Sequence, residues 1–152
     1  MRGGVGMESK GDMGVAKFLS GYNCAQAVFY TFCTDLGVDK DLALKIACGF
    51  GAGMGRKEEV CGAVTGGIMV IGARYGRGEN EDRQFTEATY RKTRELMDRF
   101  AGRHGTYICR RLLHGCELTT DAGQRYFLEN DLLRKVCAPC VRSVIEILED
   151  LL

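Results

Sequence analysis

Apolar residues in this chain recur at helical spacing, and regular alternation of apolar with polar residues is almost absent. A half-buried sheet needs that alternation, whereas a packed helix needs an apolar stripe repeating every ~3.6 residues. The single proline, Pro139, leaves long stretches free to coil. A chain of 152 residues can bury a real core as one domain. The expected architecture is an all-α, single-domain helical bundle over residues 15–152, behind a glycine-rich flexible leader at 1–14.

The expected helices follow from caps and breakers. One helical stretch runs from Val15 to about Leu36, interrupted at Gly21 and restarted behind Asn23, a good N-cap. Gly37 ends it, and Asp39 caps a second helix through Ala47. Residues 49–55 hold four glycines and read as a loop, because glycine carries a large entropic cost in a helix. Glu58 or Glu59 then opens a helix over Val60 to Tyr75. Its glycines, Gly62, Gly66, Gly67 and Gly72, make sense if neighbours approach its backbone closely, so it is expected at the centre of the bundle. A long amphipathic helix follows from Glu81 to about Arg103, with Phe85, Ala88, Leu96 and Phe100 as buried candidates. Tyr107 to Leu113 reads as a short helix and Thr119 to Asn130 as irregular or partly helical. A last helix runs from about Pro139 to Leu151.

Composition excludes several function classes. With 21 basic and 20 acidic residues there is no electrostatic footprint for nucleic acid. The longest apolar run, Gly62 to Ala73, is about half of what a membrane span needs. Nothing near Met1 resembles an export signal, so a cytoplasmic location is expected.

The chemistry lies in eight cysteines. In a reducing compartment cysteines serve catalysis, metal binding or packing more often than permanent crosslinks. Cys24, Cys61 and Cys137 each fall at an expected helix start, where free N–H groups and the helix dipole favour thiolate. Together they suggest an electropositive pocket. Gly62 leaves space beside Cys61 for a metal, a substrate or a second thiol. Cys109 lies beside Arg110 and Arg111, which could steady a thiolate or simply be solvated. Cys137-Ala-Pro-Cys140 has the spacing of dithiol redox motifs but lacks the strand–helix context of a thioredoxin fold. Cys140 reads equally well as a packing residue. Cys33 and Cys48 read as core and Cys116 as an exposed turn residue. His104 and His114 sit near helix ends, where a bland electrostatic role suffices. There is no Cys-x-x-Cys-His, which excludes c-type haem attachment.

Asn23-Cys24-Ala25, the glycine loop at 49–56, Cys61-Gly-Ala-Val-Thr-Gly66, Cys109-Arg110, and Cys137 ahead of Val141 occur in that order. On these segments the chain resembles the C_GCAxxG_C_C family of putative redox-active proteins, from about Phe18 to Leu148. The resemblance implies an all-helical domain whose four family cysteines are Cys24, Cys61, Cys109 and Cys137. A related domain in split-Soret cytochromes accompanies haem and an iron–sulfur centre, and only the non-haem part could transfer here.

Three functions are compatible with these residues. One is electron transfer through an iron–sulfur or other metal centre on Cys24, Cys61, Cys109 and Cys137. Another is thiol–disulfide exchange or redox sensing, with Cys61 attacking and Cys137 resolving. The last is a non-enzymatic helical partner, its cysteines structural and its small-residue helix serving a homodimer or larger assembly. The first two require a redox partner protein.

Overall fold

The architecture follows from where this chain can cap a helix and where it cannot continue one. The computed structural model describes residues 8–152. Eight right-handed helices occur among the described residues. They are α1 (Lys10–Leu19), α2 (Cys24–Leu36), α3 (Lys40–Ala47), α4 (Gly62–Tyr75), α5 (Arg83–His104), α6 (Cys109–Leu112), α7 (Asp121–Glu129) and α8 (Ala138–Leu151). Strand-like pairing among the described residues is confined to one antiparallel bridge, Val60 with Ile108.

The expected caps operate. The Asn23 side chain accepts the Gln26 N–H while the Gln26 side chain accepts the Asn23 N–H, a reciprocal box that fixes the start of α2. Asp39 accepts the Leu42 N–H at 2.8 Å and starts α3. Gly37, in the left-handed region, ends α2.

Helix α4 is central, packed against α2, α5 and α8. A Cβ at Gly66 would lie 2.6 Å from the Ala25 carbonyl oxygen, so α2 and α4 can touch only through glycine. Farther along α4, Val70 and Ile71 are buried in one core with Leu96, Phe100, Val144 and Leu148. Each large side chain buried there stabilises the fold by roughly 1.5–3 kcal/mol before entropy is counted. Exposed ion pairs, Arg99–Asp150 and Arg103–Glu146 from α5 to α8 and Arg142–Asp12 from α8 to α1, add less than about 1 kcal/mol each.

Several expectations are corrected. Helix α1 begins at Lys10, so residues 10–14 are not a flexible leader. Gly11 and Gly14 are buried there, and a Cβ at Gly14 would collide with Ile145. Residues 1–7 of that proposed leader lie outside the described residues. No acidic residue opens α4, whose N-cap is Cys61. Phe85 is exposed near the start of α5, because the helix overhangs the core there. The segment 121–129 is a regular helix, capped by the Thr120 hydroxyl on the Gly123 N–H.

The glycine loop is an ordered left-handed turn. Five consecutive residues, Ala52 to Arg56, have φ between +53° and +68°. Glu58 follows at +59°. Only Gly53 and Gly55 of these escape the Cβ penalty, and the others cost about 1–2 kcal/mol each. At Gly53 the chain folds back on itself, where a Cβ would lie 2.6 Å from the Glu59 nitrogen.

Candidate functional site

The site begins with the Val60–Ile108 bridge. Beside it, the Cys61 N–H donates to the Tyr107 carbonyl at 2.8 Å, and the Cys109 N–H donates to the Glu59 carbonyl at 2.7 Å. Two cysteines far apart in sequence are thereby fixed at the starts of α4 and α6. Cys24 comes from the first position of α2, directly over α4, where a Cβ on Gly62 would lie 2.6 Å from its sulfur. Cys137 and Cys140 come from the fourth segment. A π-turn over Leu133–Cys137 runs into α8, and such widened turns are frequent at functional sites. Leu133, Val136, Cys137 and Cys140 share one helical face at this junction.

These segments enclose a cavity of about 260 Å³. Cys24, Cys61, Cys109, Cys137 and Cys140 all line it. Phe18, Tyr22, Leu112, Leu113 and Phe127 supply much of the remaining wall. No carboxylate or histidine lines it.

Within the cavity the sulfurs are ordered. The Cys61 side chain lies against both Cys24 and Cys140. The Ala52 N–H, presented by the left-handed turn, works to lower the Cys24 thiol, and the Ala63 N–H, in the first turn of α4, works to lower Cys61. Cys24 lies near enough to Cys109 and Cys137 that its ionisation would raise both.

The expectation of thiolates persisting in an electropositive pocket is overturned for the metal-free protein. The Cys61 contact and then burial push the Cys24 thiol well up. The Cys140 contact dominates the rise at Cys61, and burial adds to it against the opposing Cys24 contact. Burial raises Cys109 to about 12, with Cys24 and Glu58 adding to it. Burial likewise drives Cys137 upward. Desolvation in an apolar wall outweighs the few N–H donors. Cys137 is the N-cap of α8 as expected, but the π-turn runs into it and the Ala138 N–H is already bonded to the Leu133 carbonyl. Cys109, for which no helix start was claimed, has one in the short α6.

The remaining thiols separate clearly. Cys33 is buried in the core and donates to the Phe29 carbonyl at 3.2 Å. Cys116 is buried, not exposed, and donates to the Gly123 carbonyl at 3.1 Å. Cys48 is exposed, not core, because the chain turns outward after α3. All eight cysteines are free thiols. His104 bonds the Ser143 hydroxyl and stacks on Phe100, and neither histidine lines the cavity. Arg110 reaches the Lys57 carbonyl from an exposed position.

Two features escape the sequence reading. Cys140 faces Cys61 rather than serving as neutral packing. Glu58 is only 2 % exposed; one carboxylate oxygen accepts the Leu118 N–H at 2.9 Å and the other has no partner among the described residues. Its charge contributes to the rise of both Cys109 and Cys116. A sequence that places Glu58 and Glu59 side by side carries no sign of which one is buried.

Fold and site define an all-α protein in which distant segments deliver cysteines to one apolar cavity. The chain belongs to the C_GCAxxG_C_C family, described as putative redox-active protein, whose pattern matches residues 22–151. Comparison with curated proteins gives no match, and neither does comparison with solved structures. No helix among the described residues is long and apolar enough to cross a membrane.

Proposed function

We propose that this protein transfers electrons through an iron–sulfur centre held by Cys24, Cys61, Cys109 and Cys137, in exchange with a redox partner protein. The observation that carries the reading is the convergence of these four residues, from four separate segments, on one cavity whose other walls are apolar. The donor chemistry fits, since soft thiolates without competing carboxylates or imidazoles suit iron–sulfur clusters.

Among the described residues no three Cys, His, Asp or Glu side chains stand close enough to share one metal ion. When bound, the cluster supplies one-electron chemistry. The chain's own residues hold it, exclude water and tune it. The Ala52 and Ala63 N–H groups, beside Cys24 and Cys61, would be the donors that tune the cluster's potential. Binding must also displace protons from thiols that burial keeps protonated.

A second reading is metal-free thiol–disulfide exchange. The contact of Cys61 with neighbouring thiols favours it. Protein prepared without oxygen and reconstituted with iron and sulfide decides between them. The cluster reading expects brown colour and stoichiometric iron and sulfide, lost in Cys61→Ser and retained in Cys33→Ser. Colourless protein with a titratable dithiol selects exchange. Equal loss of iron in both variants counts against the cavity as the iron site.

A further inference from the structure

Cys140 lies outside the four family cysteines, yet it is the deepest thiol of the cavity. We propose that Cys140 is the resolving thiol of this site, closing a disulfide with Cys61 when no metal is bound. The inference rests on the cavity being a redox site, but not on its binding iron.

Three observations carry it. First, a buried cysteine in a helix commonly gives its S–H to a nearby backbone carbonyl, as Cys33 does to Phe29. Among the described residues Cys140 has no such carbonyl partner, and its side chain lies against Cys61 instead, both on the wall of one cavity. Second, Cys137, the expected partner, lies near Cys24 and Cys109, whereas the contact with Cys61 is made by Cys140. Third, exposure falls from 9 % at Cys24 through 6 % at Cys61 to 1 % at Cys140. Exchange at sulfur is an in-line displacement, so the resolving thiol attacks from the side opposite the leaving group. A disulfide arriving through the cavity must leave on that side, and Cys140 occupies the buried side. Cys24 also lies against Cys61, but on the more exposed side, from which the incoming disulfide arrives.

The reaction balances with an incoming disulfide as oxidant. Cys61, as thiolate, attacks one sulfur of that disulfide, forming a mixed disulfide and releasing the other sulfur as a thiolate. Cys140 then loses its proton, attacks the Cys61 sulfur and displaces the second half. The two protons from Cys61 and Cys140 end on the two released thiols. The incoming disulfide gains two electrons, and Cys61 with Cys140 loses two.

The test uses the full chain, stripped of metal by chelator under argon, reduced, and treated with oxidised glutathione. Acid quenching, alkylation and peptide mass spectrometry then map the linkages. The proposal expects Cys61–Cys140 as the principal intramolecular disulfide, with glutathione on the exposed Cys48 as an internal control. In Cys140→Ser that disulfide is lost and glutathione accumulates on Cys61. Principal linkages of Cys24–Cys61, Cys61–Cys137 or Cys137–Cys140 overturn it, as does identical behaviour of wild type and variant. If Cys140→Ser loses its helical circular dichroism signal, Cys140→Ala replaces it, and the wild-type map decides if both misfold. Iron uptake is scored separately on the same preparation. A Cys61–Cys140 map without iron uptake removes the cluster reading alone, and iron uptake with another linkage removes this one alone.

Discussion

Two glycines of α4, five residues apart, use the same small-residue device for different purposes. Near the middle of the helix, a Cβ at Gly67 would meet Leu96 Cδ2 and Val144 Cγ1, each at 2.8 Å, both flexible side-chain tips of the bundle core. At the first residue of the helix, a Cβ at Gly62 would meet the Cys24 sulfur at 2.6 Å and the Phe50 carbonyl oxygen at 3.0 Å. Gly67 permits close packing. Gly62 keeps a reactive sulfur over bare backbone, beside a left-handed turn that opposes stability. Stability and chemistry are thus segregated along one element.

The strongest attempt to break that segregation is Phe100→Ala. Phe100 is fully buried on α5 in the core that α4 joins, and its removal is expected to cost about 3–5 kcal/mol in chemical denaturation. Iron bound per folded molecule should be unchanged. If iron falls with stability at temperatures where the variant is folded, the two regions are one cooperative unit.

A sharper comparison sets Gly62→Ala against Gly67→Ala. Overpacking costs of about 1–3 kcal/mol are expected for both. Only Gly62→Ala displaces the Cys24 sulfur, so only it should lose iron and change the disulfide map. Loss of both from Gly67→Ala would show that core strain reaches the cavity.

How far the sequence could be read follows the same divide. Helices announced themselves through local signals, such as Asn23 with Gln26 and Asp39 with Leu42, because caps act over three residues. The central place of α4 was legible from its glycines. That Cys24, Cys61, Cys109 and Cys137 line one cavity could be anticipated from the ordered pattern of Cys-Gly-Ala-Val-Thr-Gly and its companions. What failed depends on tertiary context. The left-handed run includes Ala52, Met54 and Arg56, none of which advertises a positive φ. Cys140 meets Cys61 through a π-turn that no residue type encodes. Thiol ionisation was misjudged because the favourable helix starts were visible and the apolar walls were not.

That last misjudgement yields the smallest and most specific effect. Cys109 rises from an ordinary 9.0 to about 12 in the folded, metal-free protein, chiefly through burial. Above its unfolded value the unfolded chain sheds a proton that the folded chain retains. The unfolded state then binds fewer protons, so stability falls as pH rises, until the folded thiol also ionises. Below that value the contribution is fully present. Comparing wild type with Cys109→Ala cancels most other titrations. Between about pH 8 and about pH 9.5 wild type should lose about 0.8 kcal/mol relative to the variant, read from denaturant midpoints of the reduced, chelated protein. In the bundle half, Cys33 gives the control. Its thiol is also raised by burial, but it lies away from the cavity sulfurs, so its alkaline slope should survive when iron fills the site. The Cys109 slope should vanish on loading, because a ligated thiolate has no proton left to lose in the folded state. Persistence of the Cys109 slope in iron-loaded protein would remove Cys109 from the ligand set while leaving the cavity itself intact.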